Sequence, residues 1–291
     1  MKGINRLLSG ILVLCAGVAW AYNPATFEEH TKEQSQFYLD ESDADIGRLY
    51  IRYVEVGPVD GPVIFLLHGV PTSSWSFRRV SANLAALGYR VIAPDLLGFG
   101  NSAKPKAEEY YNLEQQGRRM LALMDYLQID TWTQVLHDVG GLVTWEMMAL
   151  DADRIERLVM LNTFAYEEGW HPPKSLDNPL VKFSMGIIGF KSRTVIRNTI
   201  CGMLALPDDI DNDVSLAGYY EPLENGADRA YLAFMTSFDR VRERLGFYQE
   251  TLRGSRTPAI IIWGGLDDTL VGVEAIPLFA ADLDIPPANI F

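Results

Sequence analysis

Asp138 lies between an apolar run and a pair of glycines, in the stretch Gln134-Val-Leu-His-Asp-Val-Gly-Gly-Leu-Val143. A β-branched run that stops at His137, then a small charged residue, then two glycines and a helical pattern over Leu142 to Leu150, spell strand, sharp turn, helix. Such a turn lifts one side chain above the end of a sheet, and the glycines allow the helix to pass close to the strand. A carboxylate held there can attack carbon and form an ester that water then breaks. An aspartate that only caps the following helix is the other reading of this segment. Two further loops carry chemically useful residues: His68-Gly69-Val70-Pro71-Thr72-Ser73-Ser74, and Trp263-Gly-Gly-Leu-Asp267 with Asp268 beside it.

The elements that must position these loops follow from hydrophobic patterning. Leu49 to Val56 alternates, as a half-exposed strand does, before a turn at Gly57 to Gly61. Val63-Ile-Phe-Leu-Leu67 is continuously apolar, which predicts a strand covered on both faces. A helix to about Leu87, a strand over Arg90 to Ala93, a helix over Leu113 to Leu127, the Asp138 strand, and a buried strand over Ile155 to Leu161 continue the series. From Thr163 to about Arg253 the pattern offers helical patches and loops punctuated by Pro172-Pro173, Pro207 and Pro222, and no buried strand. Strand character resumes at Ala259 to Trp263, and a last helix runs to about Leu283. Alternating strands and helices predict a doubly wound, mostly parallel α/β sheet with a helical insertion, and such insertions form lids over the carboxyl ends of strands. Asn23 to Asp45, polar and acidic, reads as a lead-in and not as a core element.

The 291 residues can bury a large core, and a net charge of −13 excludes nucleic acid and anionic membrane surfaces as natural partners. Lys2 and Arg6 precede the apolar run Leu7 to Trp20, and Ala19-Trp20-Ala21 has the small-x-small form of a cleavage site. Residues 1–21 are thus expected to be a signal peptide, and the protein to be exported, periplasmic or secreted, with no membrane contact after cleavage. Removal of that segment leaves Cys201 as the lone cysteine, so no internal disulfide is expected. No metal-ligand spacing and no phosphate-cradling glycine loop occurs, so neither metal nor cofactor is expected, and the partner is a small-molecule substrate.

Taken together with Ala93-Pro-Asp-Leu-Leu-Gly-Phe-Gly-Asn-Ser-Ala-Lys-Pro105, the His68-Gly-Val-Pro loop, the Asp138 elbow and the Trp263-Gly-Gly-Leu-Asp267 loop resemble α/β-hydrolases. Within that fold the chain is similar to the aspartate-nucleophile group, the haloalkane dehalogenases and epoxide hydrolases, over roughly Ile46 to Phe291. No Gly-x-Ser-x-Gly occurs, so no serine stands at the elbow. The resemblance implies a core of residues 22–162 plus 254–291 and a helical cap of residues 163–253. It makes Asp138 the nucleophile, Asp267 the acid that orients a histidine (with Asp268 as the alternative), and the backbone N–H groups of Val70 and Val139 the oxyanion hole. His68 and His137 match histidines that are structural in this group.

Two departures shape the expected activity. Haloalkane dehalogenases hold the leaving halide with an Asn and a Trp where this chain has Val70 and Val139, and neither side chain can donate a hydrogen bond. Each lost donor to a charged group costs roughly 1.5–3 kcal/mol. Epoxide hydrolases instead protonate the opening oxygen with lid tyrosines, for which Tyr219, Tyr220 and Tyr231 are available. The expectation is therefore an epoxide hydrolase-like enzyme, with a haloalkane dehalogenase as the alternative. The second departure is the base: His30, His68, His137 and His171 all precede Asp267, and the sequence stops at Asn289-Ile290-Phe291 as if inside a strand. A fragment of a longer product is the expectation, with a non-catalytic binding protein on a hydrolase fold as the remaining reading.

Overall fold

The structure, a computed structural model, describes residues 22–172, 192–202 and 212–291. The signal peptide expected over residues 1–21 lies outside the described residues, as do Pro173 and Pro207 of the insertion.

The chain opens with helix α1 (Phe27–Glu33), started by a capping box in which Thr26 accepts from Glu29 N–H and Glu29 reaches back to the Thr26 backbone. Strand β1 (Gln34–Asp43) then pairs antiparallel with β2 (Gly47–Val56). The polar stretch expected to be a lead-in is therefore a helix and an edge strand. Its side chains are polar because an edge strand meets solvent, and its pairing comes from backbone groups that composition does not report. Strand β3 (Val63–Leu67), helix α2 (Arg78–Ala86), β4 (Arg90–Pro94), α3 (Leu113–Tyr126), β5 (Trp132–His137), α4 (Val139–Asp151) and β6 (Ile155–Leu161) follow. Among the described residues of the insertion lie helices α5 (Arg193–Gly202), α6 (Asp213–Pro222), α7 (Asp228–Met235) and α8 (Phe238–Gly254), before β7 (Ala259–Ile262) and α9 (Gly272–Asp282).

The seven strands are ordered β1-β2-β4-β3-β5-β6-β7, antiparallel at β1, β2 and β4 and parallel from there on. Successive residues of β3 feed opposite cores: Phe65 and Leu67 face one, Ile64 and Leu66 the other. Burial on both faces explains why this strand is apolar without alternation. After β3 the chain moves to β4 on one side and then returns to β5 on the other. That reversal opens a crevice between the carboxyl ends of β3 and β5, the place where ligands collect in sheets of this kind. His68 and Asp138 follow directly on those two strand ends.

The insertion is tied to the core by a buried charge. Glu146 on α4 is 1% exposed and accepts from Arg244 Nε at 2.5 Å, Arg244 Nη2 at 2.6 Å and Tyr248 Oη at 2.9 Å, both partners on α8. The Glu146 carboxylate raises the Arg244 pKa, and burial together with that carboxylate keeps Tyr248 a phenol. Removing one member strands the others. Glu146→Ala is therefore expected to destabilise the fold by about 3 kcal/mol, the low end of the range because the half-exposed Arg244 regains water. Urea unfolding of the two proteins checks this.

Candidate active site

The site is built on a backbone that has little room. Asp138 adopts φ 51° and ψ −124°, a region that a residue with a Cβ seldom enters. A Cβ on Gly69 would lie 2.3 Å from Asp138 Oδ2, one on Gly140 2.4 Å from the Leu67 carbonyl oxygen, and one on Gly141 1.9 Å from Thr163 Oγ1. The glycines are there because their main chains are approached too closely for a Cβ, Gly69 by the Asp138 side chain, Gly140 by the β3 backbone and Gly141 by the Thr163 side chain. Asp138 N–H donates to Asn162 O at 2.8 Å, and Thr163 Oγ1 donates to Asp138 O at 2.8 Å. These bonds fix the strained turn from below.

The Asp138 carboxylate meets two backbone donors. Val70 N–H donates to Oδ2 at 2.7 Å, and Val139 N–H also hydrogen-bonds it. Part of the side chain's surface stays accessible, yet the surrounding protein is dense enough for burial to dominate its titration. Burial pushes its pKa up to about 7; the Val70 and Val139 N–H groups pull against this, and the nearby Asp267 charge adds to it.

Asp267 is close enough for its charge to act on this carboxylate. Its Oδ1 accepts from Thr269 N at 3.0 Å and Leu270 N at 2.8 Å, and its Oδ2 from Asn162 Nδ2 at 2.6 Å. Asp268 is exposed and, among the described residues, accepts from Thr269 Oγ1 at 3.4 Å. The structure thus brings Asp138, Asp267, Val70 and Val139 together.

Two histidines lie close by and are neutral. Leu96 N–H donates to His68 Nε2 at 3.0 Å, so the His68 proton sits on Nδ1 and goes to Gly69 O at 2.7 Å. Burial holds the His68 pKa down. Burial likewise lowers His137 to about 4, with Asp267 opposing the shift. His171 sits at the surface on Glu274, and His30 lies in a separate buried cluster.

That cluster braces the Val70 loop. Asp95 accepts from Ser74 N at 2.8 Å, Ser74 Oγ at 2.6 Å, Gln34 Nε2 at 2.8 Å and Asn101 N at 2.8 Å. Because Ser74 Oγ gives its proton to Asp95, His30 Nε2 donates to it at 3.0 Å, and Tyr22 Oη donates to His30 Nδ1 at 2.8 Å. The neighbouring Trp75 donates to Ser215 O of α6 at 2.9 Å, which ties the loop to the insertion.

The tyrosines of the insertion part company. Tyr219 lies near Arg78, and the Arg193 guanidinium packs over the Tyr220 ring. Tyr231 on α7 is in electrostatic reach of Asp138; burial foremost, then the Asp138 charge, keeps it a phenol. Sequence gives Asn162 and Tyr231 little signal: the first merely follows an apolar run, and the second is one aromatic among many.

The alpha/beta hydrolase fold family matches residues 62–287. A haloalkane dehalogenase of Mycolicibacterium paratuberculosis is 39% identical over 127 residues, 44% of this chain and 42% of that protein. Epoxide hydrolase A of Mycobacterium tuberculosis is 34% identical over 129 residues, 44% of this chain and 40% of that protein. The aligned stretch therefore spans less than half the length of these relatives. Among solved structures, the tetrameric haloalkane dehalogenase of Paraglaciecola agarilytica superposes with a TM-score of 0.68 at 21% identity, covering 94% of this chain and 90% of that one. An epoxide hydrolase of Vigna radiata gives 0.68 at 19% identity, covering 89% and 90%. At such identities the superpositions speak for the fold.

The raised pKa of Asp138 has a consequence for stability. Its folded value of about 7 lies above the unfolded 3.8, so its contribution is fully present below about 3.8 and is lost as pH climbs through 7. Asp138→Asn, of the same shape and without charge, is expected to gain roughly 2–3 kcal/mol over the parent at pH 8 and almost nothing near pH 4. Thermal unfolding across that pH range measures it.

Proposed function

Because the chain belongs to the alpha/beta hydrolase fold family, we propose that it is a hydrolase that opens a small, largely apolar epoxide through a covalent ester on Asp138. The observation that carries this reading is the placement of a carboxylate on a strained elbow with Val70 N–H on its Oδ2. Oδ1 then attacks an epoxide carbon, the C–O bond breaks, and its electron pair stays on the departing oxygen. Tyr231, held as a phenol and within electrostatic reach of Asp138, supplies the proton to that alkoxide. Water next adds to the ester carbonyl, and the Val70 and Val139 N–H groups stabilise the resulting oxyanion. On this reading the water loses its proton to a general base, which the resemblance makes a histidine oriented by Asp267. Helices α5 to α8 act as the cap that excludes bulk water, and the leader at residues 1–21 exports the protein.

A second reading, haloalkane dehalogenation, is favoured by the 39% identity to the mycobacterial enzyme. It gives the same ester on Asp138 but releases halide. Val70 and Val139 speak against it, since both side chains are hydrocarbon and a halide would lose two donors worth roughly 1.5–3 kcal/mol each.

Intact-protein mass spectrometry separates these readings. Incubation with styrene oxide is expected to add the mass of the epoxide to Asp138, and Asp138→Ala to abolish the adduct. Dependence on 1-chlorohexane with chloride release, and no reaction with epoxides, would establish the second reading; no adduct from either reagent would refute an Asp138 nucleophile. Tyr231→Phe is expected to slow epoxide adduct formation about 100-fold, and an unchanged rate would remove Tyr231 from the reaction.

A further inference from the structure

Asn162 is the residue through which three strand ends meet. It follows β6 directly, with φ at +24°, a value that Asn tolerates better than most residues. Its backbone oxygen accepts from Asp138 N at 2.8 Å. Its side-chain oxygen accepts from Gly264 N at 2.9 Å, in the loop after β7. Because that contact demands an acceptor, the carboxamide nitrogen must face the other way, and it donates to Asp267 Oδ2 at 2.6 Å. A donor this close to a carboxylate makes a charge-assisted bond, shorter and stronger than one between neutral groups.

The bond does two things at once. Thr269 and Leu270 N–H already hold Asp267 Oδ1, so the Asn162 bond to Oδ2 removes the remaining rotation of the carboxylate. The positive end of the amide dipole is also placed against a charge that acts on Asp138. We propose that Asn162 is a positioning residue: its carboxamide pins Asp267 and screens that charge from Asp138, keeping the nucleophile available as a carboxylate. The proposal rests on the reading of Asp138 as the nucleophile.

The groups around Asp138 make the effect legible. Asp267 from the β7 loop and Tyr231 from α7 act on it directly, and Asp267 in turn acts on His137 of β5, beside which His68 lies at the end of β3. Tyr231 stays a phenol and both histidines stay neutral near pH 7, so the titration seen there belongs to Asp138.

The test follows the carboxyl carbon of Asp138 by 13C NMR in protein labelled at aspartate, assigned with Asp138→Asn. Asn162→Gly keeps the positive φ and removes the carboxamide; its Asp138 midpoint is expected to rise by about half a pH unit. Asn162→Asp, isosteric and charged, is expected to raise it further and serves should the glycine variant not fold. In an Asp267→Asn background, Asn162→Gly should leave the midpoint where it is. The rate of styrene oxide adduct formation should follow the same displacement, about two-fold slower at pH 7 and about three-fold slower well below the midpoint, with the high-pH plateau unchanged. An unmoved or lowered midpoint, an equal shift without the Asp267 charge, or a lowered plateau with no displacement would overturn the proposal. Absence of any wild-type adduct would instead sink the nucleophile reading, and the NMR midpoints would still decide what Asn162 does.

Discussion

The site depends on a main chain that leaves no space for side chains where three loops meet. Asp138 occupies a backbone conformation that costs on the order of 1–3 kcal/mol, and it persists only because its surroundings over-determine it. Asn162 O and Thr163 Oγ1 bind its N–H and carbonyl, while Gly69, Gly140 and Gly141 let the β3 loop and α4 close in. One added methyl at Gly69 would fill the position of the carboxylate itself. The same crowding delivers Val70 N–H to Oδ2, so strain and oxyanion recognition are two results of one arrangement.

Crowding also sets the chemistry of the carboxylate. Burial opposes charge on Asp138, and a second carboxylate close by opposes it further. The Val70 and Val139 N–H groups answer this without bringing in a cation that would occupy the carboxylate. The outcome is a carboxyl group poised near neutrality, the balance that the proposed reaction needs. The neutral histidines on either side contribute shape and hydrogen bonds to this balance and no charge.

Two buried acids outside the chemistry keep the parts in register. Asp95, accepting four hydrogen bonds, gathers α1, β1 and the loop after β4 around Ser74, and thereby steadies the loop that carries Val70. Glu146 joins α4, which starts at the elbow, to α8, which ends the insertion. Each is a charge withdrawn from water and fully partnered, so each specifies one arrangement of its neighbours more than it adds stability.

The elbow and the apolar strands were legible because they are local: the period of apolar residues and the position of glycines are properties of a short stretch of chain. Asp138 could be picked out for the same reason, from the two glycines that follow it, and Asp267 from the short Trp263-Gly-Gly-Leu-Asp267 loop and its resemblance to a known motif. The polar edge strand Gln34–Asp43 escaped that logic because its stability comes from backbone pairing with β2, which leaves no mark in composition. Which tyrosine approaches Asp138 was likewise undetermined, because Tyr219, Tyr220 and Tyr231 have the same chemistry and differ only in how α6 and α7 settle on the core. Asn162 is the clearest case. Its role needs the ends of β5, β6 and β7 to stand side by side, and residues 105 positions apart in sequence, Asn162 and Asp267, become hydrogen-bond partners only when the sheet is assembled.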